Sequence, residues 1–139
     1  MKKLLTLLSL LSLLIFCHCG AEEVIDELFI DISGNVSDDG QPVGGAVIIL
    51  LDSPNLTDGV SLSNASISNA DGSYVVINVQ AGDYYVVAID DMNDNFEYDM
   101  GTDRIGFHGV DPGQLDLAPD QVSVSMVDVE GIDITYFAN

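Results

Sequence analysis

Apolar positions in this chain recur at every second residue. Leu28, Ile30 and Ile32 alternate with Phe29, Asp31 and Ser33, while Val122, Val124 and Met126 alternate with serines, and Ile132, Ile134 and Tyr136 close the chain. Successive side chains leave a pleated strand on opposite sides, so a period of two marks a strand with one face buried. Val43 to Leu51 is a continuous apolar run, and Tyr74–Val79 and Tyr84–Ile89 are rich in β-branched and aromatic residues. No segment carries a helical stripe.

Turn signals separate these stretches at Ser37-Asp38-Asp39-Gly40, Asp58-Gly59, Asp71-Gly72, Ala81-Gly82-Asp83, Asp111-Pro112-Gly113 and Glu130-Gly131. About seven strands with a turn every ten or so residues predict an all-β, Ig-like or prealbumin-like β-sandwich. The interval from Asp90 to Asp120 stands out as a long acidic loop with little strand pattern of its own. Loops of that length are usually functional, or ordered by something that binds them.

Residues 1–21 read as an address. Lys2 and Lys3 precede an apolar run from Leu4 to Phe16, too short for a comfortable membrane span, and the small residues Cys19, Gly20 and Ala21 follow. Two ends of this secretory signal are open. Cleavage after Ala21 releases a soluble protein; alternatively Cys19 becomes the lipid-bearing first residue of a lipoprotein, against which stands His18 at a position where that pattern wants a small residue. Both cysteines, Cys17 and Cys19, lie in or beside this segment, so residues 22–139 form one domain without a disulfide.

The domain is strongly acidic. Of three basic residues, Lys2 and Lys3 fall in the signal, which leaves Arg104 alone against 23 Asp and Glu. Nucleic acid and anionic membrane surfaces are poor partners for such a body, and contact with a membrane is expected only through a lipid anchor. An exported protein of the extracellular space or cell envelope, facing an extracellular protein or glycan, fits the balance better.

The densest chemistry lies in Asp91, Asn93, Asn95, Asp99 and Asp103, oxygen-bearing residues at steps of two and then four. Calcium takes six to eight such oxygens from a flexible loop, and crowded carboxylates repel one another unless something positive sits among them. The spacing is not that of an EF-hand, which wants Gly where Phe96 stands and a bidentate acid where Thr102 stands. A looser calcium loop remains, with side chains of Asp91, Asn93, Asn95 and Asp99, a backbone carbonyl near Glu97, and Asp103 closing the shell. The competing reading is a solvated loop built of good turn residues. Arg104 is expected to neutralise Asp99 or Asp103.

The order of the signals resembles the carboxypeptidase-regulatory-like (prealbumin-like) modules of bacterial exported proteins. The matching residues are Ile32-Ser33-Gly34-Asn35-Val36, Pro42-Val43-Gly44-Gly45-Ala46, Asn69-Ala70-Asp71-Gly72-Ser73-Tyr74 and Ala81-Gly82-Asp83-Tyr84. Gly131 to Thr135 is similar to the last strand of that family. The resemblance implies a sandwich fold, and some members insert an Asp-Xaa-Asn-Xaa-Asn-Gly loop, often with Gly-Phe/Tyr-Xaa-Gly downstream; Asp91, Asn93, Asn95 and Gly106-Phe107-His108-Gly109 are similar, although Phe96 stands where that Gly would be. Prealbumin-like hydrolases end in Tyr-Arg-Gly-Ser; this chain ends in Thr135-Tyr136-Phe137-Ala138-Asn139, so their activity is not implied.

His108 stands without a local nucleophile signature and reads as a hydrogen-bonded loop residue. The expectation is therefore a non-enzymatic interaction or accessory module stabilised by calcium. The alternative is a carbohydrate- or peptide-binding module using Phe96, Tyr98 and Phe107 of the same loop as a contact surface.

Overall fold

The computed structural model describes residues 30–55, 65–95 and 98–138. The signal segment with Cys19, the turn at Asp58-Gly59, and Phe96 and Glu97 lie outside the described residues. The structure is all-β. Its strands are β1 (Ile30–Asn35), β2 (Ser37–Asp38), β3 (Gln41–Pro42), β4 (Val47–Leu51), β5 (Ser66–Ile67), β6 (Ser73–Val79), β7 (Gly82–Asp90), β8 (Arg104–Phe107) and β9 (Gln121–Val124). A single turn of 3₁₀ helix, Pro112–Gln114, separates β8 from β9.

The larger sheet runs β5-β4-β7-β8, with β9 also pairing along β7; β1 and β6 form a second sheet and β2–β3 a small hairpin. All of these pairings are antiparallel. The segment after β9 returns beside β1 in parallel, with bridges from Ile32 to Val129 and from Val36 to Ile134. The backbone bonds Ser33 N–H to Val129 O, Ile132 N–H to Ser33 O and Ile134 N–H to Asn35 O hold it there. Gly106 permits the last step of this return: a Cβ at that position would stand 2.5 Å from the Tyr136 carbonyl oxygen. Ala138 then exchanges both backbone bonds with Ile105 and covers the β8 edge.

One core joins the two sheets. Ile30, Ile32, Tyr74, Val76 and Val79 from the smaller sheet meet Ile48, Leu50, Val86, Ala88, Val122 and Val124 from the larger, together with Ile132, Ile134 and Phe137. Removing such side chains from water supplies the main drive to fold, about 1.5–3 kcal/mol each. The continuous run in β4 has its reason here: alternate residues Ile49 and Leu51 turn away from this core and join Val87 and Ile89 in a second cluster on the outer face of the larger sheet.

The alternation read from sequence lies on β1 and β9, the continuous apolar run on β4 and the β-branched and aromatic stretches on β6 and β7, and the described strands number nine against about seven expected. Two differences are physical. Within the interval read as a long loop, Arg104–Phe107 is a strand paired to β7; at four residues it is too short for its period to show. At the C-terminus Phe137, not Tyr136, turns into the core, and Tyr136 is exposed. Tyr84 packs on the inner core and Tyr85 on the outer cluster, as alternation requires.

Candidate functional site

The loop from Asp91 to Asp103 joins β7 to β8, and its ends are pinned by the Asp90–Arg104 pair of the ladder. Asn and Asp at alternate positions favour bends that bond to their own backbone. That is what forms. The Asp91 Oδ1 accepts the N–H groups of Asn93 and Asn95, both at 3.3 Å, and the Asn93 Oδ1 accepts the Asn95 N–H at 3.2 Å. Asp94 takes the left-handed conformation at the bend, with φ of 58°.

The side-chain amides then reach across the loop. Asn93 Nδ2 and Asn95 Nδ2 donate to the same oxygen, Asp99 Oδ2, at 2.9 and 2.7 Å. Four of the expected ligands, Asp91, Asn93, Asn95 and Asp99, are thus bonded to one another around one small space. Two carboxylates are held within one set of amides, a mixed arrangement, since among the described residues no three His, Cys, Asp or Glu side chains gather as a metal group. A calcium ion would require both amides to rotate and present oxygen in place of nitrogen.

Asp103 occupies a different position. It is 1% exposed, and its two oxygens accept the Met92 N–H at 3.0 Å and the Asp99 N–H at 2.7 Å. The Asp103 N–H in turn donates to the Asp99 carbonyl oxygen at 3.0 Å. This carboxylate fastens the start of the loop to its end, a task that two backbone donors suffice to explain. Tyr98 fixes the middle by packing on the outer cluster of Ile49, Leu51, Val87 and Ile89, as Tyr85, Ile105 and Phe107 also do.

Arg104 does not pair with Asp99 or Asp103, because it lies on β8 with its side chain directed to the other flank of the hairpin. Its Nε donates to Asp90 Oδ2 at 3.0 Å, its Nη2 also meets that oxygen, and its Nη1 meets Asp38 Oδ2 at 2.6 Å. The guanidinium carbon stands 5.4 Å from the centre of the Phe137 ring. Hydrogen bonding to Asp90 raises the guanidinium pKa further above its already high value. The sequence marks Asp38 only as part of a turn, Asp90 as the start of the long loop and Phe137 as one of the closing residues, none of them as a partner of Arg104. The β7–β8 register, with Asp90 opposite Arg104, is what reveals Asp90 as a partner.

His108 lies at the end of β8 with Nδ1 2.8 Å from the Asp133 carbonyl oxygen, so that nitrogen carries the proton and donates. Beyond it, Asp111 caps the 3₁₀ turn: its carboxylate accepts the Gln114 side-chain amide at 2.7 Å and the Gly113 N–H at 2.9 Å. These bonds, the Gln114 amide foremost, hold its pKa below the ordinary carboxylate range.

No family model matches the chain, and no curated protein matches it. Among solved structures it is similar to a DUF3823 family protein from Parabacteroides merdae, at 12% identity and a TM-score of 0.42. That likeness covers 77% of this chain, which spans 45% of the length of the other.

Proposed function

We propose that this chain is an exported, non-enzymatic interaction or accessory module, an Ig-like or prealbumin-like sandwich of about seven principal strands whose loop 91–103 takes up calcium. The observation that carries the reading is the convergence of Asn93 and Asn95 on Asp99, with Asp91 bonded to the same two residues. Rotation of the two amides turns this set into four oxygen ligands. The carbonyl near Glu97 and water would complete the shell, and Asp103 holds the frame. An ion here neutralises Asp91 and Asp99 and stiffens the surface next to Tyr98.

The sandwich of carboxypeptidase-regulatory-like type is supported by where its markers fall. Ile32–Val36 spans β1 and its exit, Pro42–Ala46 enters β4, Asp71-Gly72 precedes β6, and Gly82-Asp83-Tyr84 opens β7. Export is supported by the basic, apolar and small-residue order of residues 1–21, with Cys19 as the lipid-bearing residue if the chain is anchored.

The experiment is thermal unfolding with calcium, with magnesium and with chelator, for the protein and an Asp91→Ala/Asp99→Ala variant. A calcium-specific rise of several degrees that the variant lacks supports the reading; equal curves in every condition sink it.

A second reading rests on Tyr98 and Phe107, which share one patch with Tyr85 on the outer face of the larger sheet. Half-buried rings on one face suit a sugar. Glycan binding that persists in chelator and is lost in Tyr98→Ala would favour it.

A further inference from the structure

Along β6 the side chains alternate sharply. Tyr74 and Val76 enter the core at 2% and 1% exposure, whereas Val75 and Ile77 stand 48% and 60% exposed. The backbone alternates too. Val36 N–H donates to Gly72 O at 2.8 Å, and Gly34 and Ile32 stand opposite Tyr74 and Val76. The N–H and C=O of one residue leave an antiparallel strand on the same side, so those of Tyr74 and Val76 point to β1. Those of Val75 and Ile77 point the other way, along the outer edge. Ser73 O, on that edge, is met by Asn69 N–H at 2.8 Å, and among the described residues β6 pairs with β1 alone.

Protein edges are commonly blunted by lysine, by proline or by being short. Here β6 is seven residues long, contains no proline, and belongs to a chain whose only lysines are Lys2 and Lys3. The β8 edge, by contrast, is covered by Ala138. One end of this edge carries an acid: Asp71, just before β6, accepts the outward-facing Ser73 N–H at 3.1 Å and the Ser73 hydroxyl at 2.6 Å. Asp31, which accepts the Asn78 N–H at 3.3 Å, lies on the β1 side instead.

We propose that the β6 edge receives an extended segment of a partner protein as an added strand, with Val, Ile or Thr at its centre and Lys or Arg at the end beside Asp71. The backbone of Val75 and Ile77 supplies the ladder, their side chains flank the added residues on the outer face, and Asp71 meets the basic end. A second copy of this chain is a poor occupant. It would set one strongly acidic body against another, each with 23 acidic residues and three basic ones.

The test uses the full chain and two peptides with a common centre, Thr-Val-Thr-Val-Thr, one flanked by Lys-Lys at each end and the other by Glu-Glu. Amide exchange is followed by NMR. The Lys-flanked peptide is expected to slow exchange at Val75 and Ile77 while leaving Tyr74 and Val76, already paired with β1, unaltered. The Glu-flanked peptide is expected to bind about tenfold more weakly, and Val75→Lys/Ile77→Lys to abolish the effect without moving the unfolding midpoint. The proposal is overturned if neither peptide slows those two amides, if both do so equally, or if sedimentation shows the edge already occupied by a second copy.

Discussion

The Tyr74 hydroxyl donates to the Ile132 carbonyl oxygen at 2.5 Å, joining β6 to the returning C-terminal segment across 58 residues of chain. Burial, and then the charge of Asp133, hold the phenol above its ordinary pKa. The neutral form is therefore the one the fold favours. Stability from this group is complete below about pH 10, the value of a free tyrosine, and declines as pH rises beyond it. Tyr74→Phe should cost about 1 kcal/mol at neutral pH, and up to about 3 if the carbonyl stays unmet. Urea unfolding between neutral and strongly alkaline pH should show a steeper alkaline loss for the native chain than for the variant.

Asp103 should be the most sensitive carboxylate of the loop. Its replacement by Ala leaves the Met92 and Asp99 N–H groups without their acceptor, at a cost of about 1–3 kcal/mol for each one that water does not reach. Asp103→Asn keeps one acceptor oxygen and should lose less. By comparison, Asp91→Ala removes a carboxylate from an exposed bend and should change metal-free stability little. If chemical denaturation ranks Asp91→Ala as the more damaging of the two alanine variants, the clasp assigned to Asp103 is wrong.

Arg104 bridges β8, β7 and the β2–β3 hairpin with side chains that are partly open to solvent: 29% for Arg104, 17% for Asp90 and 26% for Asp38. Screening keeps such pairs at about 0.2–1 kcal/mol each, and the ring of Phe137 adds about 0.5–1. Arg104→Met should therefore destabilise by about 1–2 kcal/mol. Arg104→Lys should recover only part, because an ammonium cannot hold Asp90 through two nitrogens while also reaching Asp38. A double-mutant cycle with Asp90→Asn measures the coupling directly; none at all would mean that the pair is ornamental.

Asp71 is fully exposed, yet the Ser73 hydroxyl, and then the Ser73 N–H, lower its pKa. A depressed carboxylate lends stability above its unfolded value, about pH 3.9, and withdraws it as pH falls through the lower folded value. The carboxyl carbon of Asp71, followed by NMR, should titrate below that of a free aspartate. In Ser73→Ala, which removes the hydroxyl donor, its midpoint should move upward.

Strand positions were legible wherever burial was one-sided, as in β1 and β9, because there the period of two survives in the sequence. The four residues of β8 were not: Arg104 and Gly106 interrupt the apolar signal, each for a reason that lies elsewhere in the fold. Arg104 serves acids on two other strands, and Gly106 makes room for the Tyr136 backbone. The oxygen-bearing loop could be found by spacing, and Asp91, Asn93, Asn95 and Asp99 do come together. The separate task of Asp103 could not be found that way, since both of its partners are backbone N–H groups, which no side-chain pattern advertises. The partners of Arg104 were hidden for the complementary reason: Asp38 is distant in sequence, and Asp90 looked like part of the loop.

The parallel return of Val129–Ile134 beside β1, followed by Phe137 entering the core, bears on when this protein can become itself. The earliest described strand gains β6 midway along the chain but lacks its other neighbour until residues 129–134 have emerged. A polypeptide delivered N-terminus first must wait with Ile30, Ile32 and Val36 only partly covered, and loop closure over so long a span is slow. The architecture thus delays its own completion, leaving a window in which the chain remains threadable.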